Sequence, residues 1–233
     1  MLQYTYNGMF PNIYDYYPDS FGNDSIIVHP RPDVVFTGEY NICINETYIW
    51  DGSNSSIDNL SHHPQCIQSY EWETVQVIAG TPQLPWISIG TNSSILSHSF
   101  STSGEWIVRL TCTSDNQCSN TWQETIIVND LPNASFTSQY TPGCAQTTVS
   151  FDGSNSSTTI LEWEWDFGNG QSFNSTSAGT YNGFANTTYL TPSSTYTVSL
   201  VVTDNNSCIS NPAYQDIFIA LSLIHISEPT RPY

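Results

Sequence analysis

The stretch that most constrains the fold of this chain is residues 163–170, Trp-Glu-Trp-Asp-Phe-Gly-Asn-Gly. Aromatic residues alternate with carboxylates at a period of two, which indicates a β-strand, and the following Gly-Asn-Gly supplies the positive φ angles of a tight turn. A strand with one apolar and one acidic face is typical of an antiparallel sheet that is covered on one side. We expect the buried face of this strand to carry Trp163, Trp165 and Phe167. The exposed face then carries Glu162, Glu164 and Asp166.

A second alternating run extends this prediction to the core. Tyr-Thr-Val-Ser-Leu-Val-Val at 196–202 places Val198, Leu200 and Val202 on one side of a strand. We expect these three side chains to meet Trp163, Trp165 and Phe167 across the core of a β-sandwich.

The same patterns occur twice in the chain. Residues 48–56, Tyr-Ile-Trp-Asp-Gly-Ser-Asn-Ser-Ser, correspond to residues 149–157, Val-Ser-Phe-Asp-Gly-Ser-Asn-Ser-Ser, and Tyr-Glu-Trp-Glu at 70–73 corresponds to 163–166. Repetition at this scale indicates an array of similar domains, and short strands between Gly, Pro, Asn and Ser clusters predict an all-β fold. We predict a remnant of a preceding repeat or linker at 1–30, a divergent sandwich at 31–130, a second sandwich at 131–220, and a sequencing or cloning scar at 221–233.

The charge balance excludes two classes of partner. The 233 residues carry a formal charge of −18 with only 3 basic residues, so the chain cannot neutralise nucleic-acid phosphates or hold an anionic membrane surface. The sequence contains no apolar run of the length that spans a bilayer, about 18 residues or more. It also lacks a basic region followed by an apolar core at its start, so we expect any signal peptide to lie upstream.

Six cysteines indicate an oxidising compartment, and their spacings match no zinc-binding pattern. Cys43 and Cys118 correspond in position to Cys144 and Cys208, so one bond within each unit is the simple interpretation. The first turn and the last hairpin of a seven-strand sandwich lie at opposite ends, however, and a disulfide needs Cα atoms within about 7 Å. A head-to-tail array could instead join Cys43 of one unit to Cys208 of the next. Cys66 and Cys112 could bridge the core of the first unit.

Residues 163–170 and 196–204 together resemble the PKD domain (polycystic-kidney-disease repeat). The family pattern is an aromatic-x-Trp-Asp-Phe-Gly-Asp-Gly strand followed by Tyr-x-Val-x-Leu-x-Val; Asn169 replaces the usual Asp here. The first unit matches in part, through Asp-Gly-Ser at 51–53, Tyr-x-Trp at 70–72 and Trp-x-Val-x-Leu at 106–110. The resemblance implies an immunoglobulin-like β-sandwich of the kind found in extracellular surface proteins and beside the catalytic domains of secreted hydrolases. Such modules serve as spacers, adhesion modules or weak binders.

Candidates for chemistry are few. His29, His62, His63 and His98 are accompanied by no serine-nucleophile or His-Glu-x-x-His motif, and a carboxylate face formed by Glu162, Glu164 and Asp166 is typical of a solvated strand. We therefore predict that the chain is not an enzyme. Carboxylate and amide oxygens at strand ends could converge on a hard cation, so we predict a calcium site formed by Asp152, Asp166, Asn169 and Asp204.

Two surface features remain. Trp86, Trp122 and the tyrosines of residues 4–17 are candidates for a glycan-binding platform, although core packing also explains them. Ten Asn-x-Ser/Thr sequons occur, which matter where the host glycosylates exported proteins.

We predict a non-catalytic spacer or adhesion module of a larger secreted or cell-surface protein, with extracellular polysaccharide or protein as partner. The alternative is an accessory, substrate-binding module of a secreted protease or glycosidase.

Overall fold

The computed structural model describes residues 14–18, 24–57, 66–140, 146–157, 159–176 and 183–220, with side chains described from residue 29 onward. Every regular element in these ranges is a β-strand. The chain divides into two compact units, Met1–Asn129 and Asp130–Tyr233. The suggested scar at 221–233 and the predicted pair His62 and His63 lie outside the described residues.

The first unit begins with an antiparallel hairpin of β1 (Tyr14–Pro18) and β2 (Asp24–Val28). Strand β2 contains the Ile-Ile-Val run that, at 126–128, ends the last strand of this unit. A hairpin in this position is what a remnant of a preceding sandwich would contain, and that interpretation stays a prediction.

The remaining strands of the first unit form two sheets around one core. They are β3 (Asn41–Cys43), β4 (Tyr48–Asp51), β5 (Ile67–Ile78), β6 (Thr81–Pro82), β7 (Ile87–Thr91), β8 (Ile95–His98), β9 (Gly104–Ser114) and β10 (Ser119–Asn129). One sheet has the order β3-β10-β9-β5-β6, with β7 also paired to β5, and the other pairs β4 with β8. Every pairing is antiparallel except that of β3 with β10, which is parallel.

The core of the first unit lies between these sheets. Trp72 and Leu110 are neighbours on β5 and β9, and the ring of Phe36 meets Trp72 edge-on at 5.1 Å between centroids. The buried cluster comprises Val34, Phe36, Ile42, Trp50, Trp72, Leu96, Phe100, Val108, Leu110, Cys112, Ile126 and Val128.

The described residues of the second unit form seven strands in two antiparallel sheets. They are β11 (Thr137–Tyr140), β12 (Thr147–Asp152), β13 (Ile160–Asp166), β14 (Ser172–Thr176), β15 (Phe184–Tyr189), β16 (Ser194–Asp204) and β17 (Ala213–Ile219). The orders are β11-β12-β15 and β14-β13-β16-β17. The predicted fold class, all-β with immunoglobulin-like antiparallel sandwiches, is confirmed.

The six predicted core residues of the second unit are all buried in one cluster, but their arrangement differs from the prediction. Trp163 lies opposite Val202 and Trp165 opposite Leu200, because β13 and β16 are hydrogen-bonded neighbours in one sheet. The two sets therefore stand side by side. The residues that face them across the core come from the three-stranded sheet and include Val149, Phe151, Ala185 and Tyr189. Period-two alternation identifies the buried face of a strand but does not identify its partner.

The glycines of the predicted Gly-Asn-Gly turn have positive φ angles, 70° at Gly168 and 83° at Gly170. In the repeated Asp-Gly-Ser loop, the glycine is needed for a different reason. A Cβ on Gly153 would lie 3.1 Å from the side chains of both Leu200 and Trp165, and one on Gly52 would meet Leu110 and Trp72. The loop therefore covers the core tryptophan at a distance that leaves no room for a side chain.

Candidate functional site

The predicted calcium residues do not converge in the structure. Asp166 lies opposite Ser199, whereas Asp204 lies opposite Ile160 at the other end of the same strand pair. These two positions are five residues apart along β16, which corresponds to about 17 Å. In the part of the chain that the structure describes, no group of three His, Cys, Asp or Glu residues is placed to hold a metal ion.

Each of these oxygens instead holds its own loop. Oδ1 of Asp152 accepts a hydrogen bond from the backbone N–H of Ser154 at 2.9 Å. Oδ1 of Asp166 accepts the backbone N–H of Gly168 at 2.9 Å, and Oδ1 of Asn169 accepts that of Gln171 at 3.0 Å. Oδ1 of Asp204 accepts the backbone N–H groups of both Asn206 and Cys208. Asp and Asn favour such turns because a short side chain can reach the backbone two residues ahead. Acidic residues at strand ends therefore stabilise turns here.

The histidines that the structure describes occupy structural positions. His98 packs edge-on against Phe100 with 4.9 Å between ring centroids, and burial lowers the pKa of His98 below its usual 6.5. His29 is 5% exposed.

The acidic face of β13 is on the outer side of its sheet. Glu164 and Asp166 are exposed and lie opposite Val201 and Ser199 of β16. The carboxylates therefore line an open sheet surface and do not face one another across a cleft.

The cysteines fall into two groups. Cys43 and Cys208 are each disulfide-bonded. Cys66, Cys112 and Cys118 are free thiols, and Cys144 lies outside the described residues. Neither bond proposed within the first unit is formed.

Geometry explains both absences. Cys43 lies opposite Asn129 at one end of β10, and Cys118 precedes Ser119 at the other end, about 33 Å away along the strand. The expected bond between them was therefore wrong, and the topological objection to it holds. The carbonyl of Cys66 accepts a hydrogen bond from the backbone N–H of Asp115, just after the end of β9. Asp115 is three residues, or about 10 Å, from Cys112, which is too far for a disulfide between Cys66 and Cys112. The proposed Cys66–Cys112 bridge was therefore also wrong.

The two predicted glycan-binding tryptophans cannot share a platform. The Arg109 guanidinium stacks on the Trp86 ring at 3.8 Å and pairs with Glu73 at 2.7 Å, on the face of the sheet that points away from the core. Trp122 lies opposite Leu110 and therefore on the other face, where it is 48% exposed. The tyrosines of residues 4–17 have no described side chains.

An exposed aromatic surface does occur in the second unit. Tyr214 and Phe218 are 68% and 54% exposed on the outer face of β17, with Asp216 between them. The hydroxyl of Tyr140, which lies on β11 of the other sheet, donates to the carbonyl of Phe218 at 3.2 Å. We call these four residues the β17 surface.

The β17 surface combines apolar ring faces with acceptor oxygens. Thr197 donates to Asp216 at 2.7 Å, which fixes the carboxylate between the two rings. Flat aromatic faces beside hydrogen-bonding groups can contact both the apolar faces and the hydroxyls of a sugar. Sequence reasoning missed this surface, although a signal was present. Ile217 and Ile219 mark the buried face of β17, so Tyr214 and Phe218, which alternate with them, are placed on its exposed face.

The structure shows no helix, within the described ranges, that is long and apolar enough to cross a membrane.

Several solved structures resemble this chain at low sequence identity. The fibronectin(III)-like modules of Clostridium thermocellum CbhA share 11% identity over 84% of this chain and 100% of theirs, with a TM-score of 0.38. A 1.5-MDa bacterial ice-binding adhesin shares 10% identity over 88% of this chain and 72% of its own, with a TM-score of 0.40. A two-domain fibronectin type III segment of chicken tenascin shares 13% identity over 82% and 99%, with a TM-score of 0.30. Likenesses at this level assign no function.

No curated protein matches the chain in sequence. The family model for the PKD domain matches residues 129–219, which span the linker and all seven strands of the second unit. This is the unit in which the Trp-Glu-Trp-Asp-Phe-Gly strand and the Tyr-x-Val-x-Leu strand lie side by side. The resemblance to the PKD domain that the sequence of the second unit predicts is therefore confirmed over residues 129–219.

Proposed function

We propose that the chain is a non-catalytic, extracellular spacer or adhesion module of a larger secreted or cell-surface protein. The observation that carries this proposal is that the two units use the serines of their repeated Asp-Gly-Ser-Asn-Ser-Ser motif for the same internal hydrogen bonds. The hydroxyl of Ser55 bonds the N–H and carbonyl of Val35 at 3.1 and 2.9 Å, and that of Ser156 bonds those of Ser135 at 3.1 and 3.0 Å.

The same correspondence extends to the loop that contains these serines. Asp51 and Asp152 both accept the N–H of the serine two residues ahead, at 2.8 and 2.9 Å. In both units these serine and aspartate side chains therefore hold the segment that leads into the sandwich and the Asp-Gly-Ser loop in place. Two successive domains stabilised by the same contacts are what a modular, structural protein requires.

Cysteine usage supports the extracellular part of the proposal. Cys43 and Cys208 are disulfide-bonded, and structural disulfides persist mainly in oxidising compartments. The chain is also strongly acidic and nearly free of cations, with a charge of −18. A surface of one sign repels other copies and favours solubility outside the cell.

Domain replacement in the parent protein would test the spacer role. Both units are replaced either by two unrelated β-sandwich domains or by a Gly/Ser linker of the same length, and the activity or adhesion of the parent is measured. We expect the unrelated sandwiches to preserve function and the flexible linker to reduce it, because a flexible chain has no fixed end-to-end distance. Loss of function with the unrelated sandwiches would show that the surface of these units is itself recognised.

A second candidate function is polysaccharide binding as an accessory module of a secreted hydrolase. The β17 surface favours it, because Tyr214 and Phe218 are exposed on the outer face of β17 with Asp216 between them, and Tyr140 of β11 bonds the backbone of that strand. The assay is a pull-down on insoluble polysaccharides with the wild-type chain, Tyr214→Ala and the control Tyr40→Ala, an exposed tyrosine of the first unit. Saturable binding that Tyr214→Ala alone abolishes would establish this function; equal retention of all three proteins would exclude the β17 surface.

A further inference from the structure

The asparagines of this chain fall into two groups that differ in structural role. Ten asparagines begin an Asn-x-Ser/Thr sequon, and eight of these lie in the described part of the chain. All eight side chains are exposed. They are Asn45, Asn54, Asn92, Asn133, Asn155, Asn174, Asn186 and Asn205.

The described asparagines outside sequons behave differently. Five of these seven are partly buried, and most of the five use their side-chain amide to hold the fold. Nδ2 of Asn120 donates to the Pro32 carbonyl at 2.9 Å, and Nδ2 of Asn129 donates to the Ile42 carbonyl at 3.0 Å. Nδ2 of Asn169 donates to Thr187 at 3.2 Å. By contrast, no side-chain amide of the eight sequon asparagines is hydrogen-bonded to another described residue.

We propose that this chain is N-glycosylated at the exposed asparagines of its sequons. In this modification Nδ2 forms a bond to the first sugar carbon of a lipid-pyrophosphate-linked oligosaccharide, the sugar–phosphate bond breaks, and the amide loses one proton as the lipid pyrophosphate leaves. The nitrogen that becomes substituted must therefore be free of any structural hydrogen bond and open to solvent. The eight sequon asparagines meet both conditions, whereas the asparagines that the fold needs stand outside sequons.

The positions of the sites also fit the addition of a large, hydrated group. Asn174 and Asn186 lie on β14 and β15, each of which is an edge strand of its sheet. Phe173 and Phe184, on the same two strands, are 40% and 47% exposed. An exposed edge strand with apolar residues is a site for unwanted pairing with another chain, and a glycan beside it blocks that approach. The inference depends on export, the extracellular part of the proposed function.

The test is secretion of the whole chain from a eukaryotic host behind a heterologous signal peptide. Peptides are mapped by mass spectrometry after peptide N-glycosidase treatment in ¹⁸O-water, which marks each formerly glycosylated asparagine as aspartate. We expect most of the eight sites to be marked. If the protein is secreted and folded but all eight sites are unmarked, the inference is overturned and the spacer function stands. If the protein is not secreted but is folded in the cytosol, the result counts against the extracellular function and removes the basis of the inference.

A matched variant tests the structural argument. Trp122→Thr creates a new sequon at Asn120, whose side-chain amide is hydrogen-bonded, and Trp122→Ala changes the same side chain without creating one. We expect Trp122→Thr either to remain unmodified at Asn120 or to be secreted at least several-fold less than Trp122→Ala. Efficient modification of Asn120 with normal secretion would show that amide bonding does not distinguish the two groups, and would refute the reasoning.

Discussion

Replacement of Trp165 by alanine is the strongest test of the core described for the second unit. The side chain is fully buried and its ring lies 5.1, 5.7 and 6.3 Å from the ring centroids of Phe136, Phe151 and Phe167. A buried aromatic side chain removes about 150–250 Å² from water, and at about 25 cal/mol per Å² this amounts to roughly 4–6 kcal/mol as an upper estimate. Measured costs of such truncations are about 3–5 kcal/mol.

That loss is large for a unit of this size. A domain of this length has a total stability of about 5–14 kcal/mol, at about 0.05–0.15 kcal/mol per residue. We therefore expect Trp165→Ala to remove between about a fifth and all of the stability of the second unit and to leave the first unit unchanged. The two units have separate cores, so their losses should be separable.

Hydrogen exchange measured by mass spectrometry along a urea series separates the two units. Peptides from residues 147–219 should lose protection at much lower urea in Trp165→Ala, while peptides from residues 67–129 keep their wild-type midpoint. Tyr214→Ala is the control, because Tyr214 is 68% exposed in the same unit and its loss should change stability by about 0.5 kcal/mol or less. An unchanged midpoint for the second unit in Trp165→Ala would refute the core assignment.

Three further outcomes follow from the same structure. Gly153→Ala should destabilise the second unit by about 1–3 kcal/mol in urea unfolding, because its Cβ would press on Leu200; a neutral effect would show that the loop can lift. Burial raises the pKa of Tyr189 to about 12, so the second unit should lose stability as pH rises from about 10 to 12, and Tyr189→Phe should flatten that decline in urea midpoints; a parallel decline in both proteins would exclude Tyr189 as its source. Under native conditions iodoacetamide should label Cys66 first and Cys112 only on unfolding, because Cys112 is buried and its thiol pKa is raised; equal rates by peptide mapping would contradict its placement.

Strand identity and burial were predictable because they depend on local alternation. The phase of aromatic and charged residues in 163–167 determines which side chains are buried, and the glycines at 168 and 170 provide the turn. Strand partners were not predictable in the same way. Strands that are neighbours in one sheet and strands that face each other across the core show the same alternation of buried and exposed residues. Val202 was therefore expected across the core from Trp163, whereas it lies beside Trp163 in the same sheet.

The candidate sites were harder to predict because their chemistry depends on distance. Asp166 and Asp204 each have the composition of a metal ligand, yet they stand at opposite ends of a strand pair and hold separate turns. The same limit applied to Cys43 and Cys118, which correspond in sequence to a pair in the next unit but lie a strand length apart. Tyr214 and Phe218 were recognisable from the sequence, because they alternate with Ile217 and Ile219 on one strand and so must point to its exposed side.

The parallel pairing of β3 with β10 has a mechanical consequence. Strand β3 is near the start of the first sandwich and β10 is its last strand, and the two run in the same direction with Ile42 opposite Val128. The N–H of Ile127 donates to Tyr40 at 2.7 Å and the N–H of Ile44 donates to Asn129 at 2.9 Å. Tension applied to the two ends of this unit pulls the strands in opposite directions along their length. These bonds are then loaded in shear and must break together, whereas the bonds of a hairpin under tension open one after another.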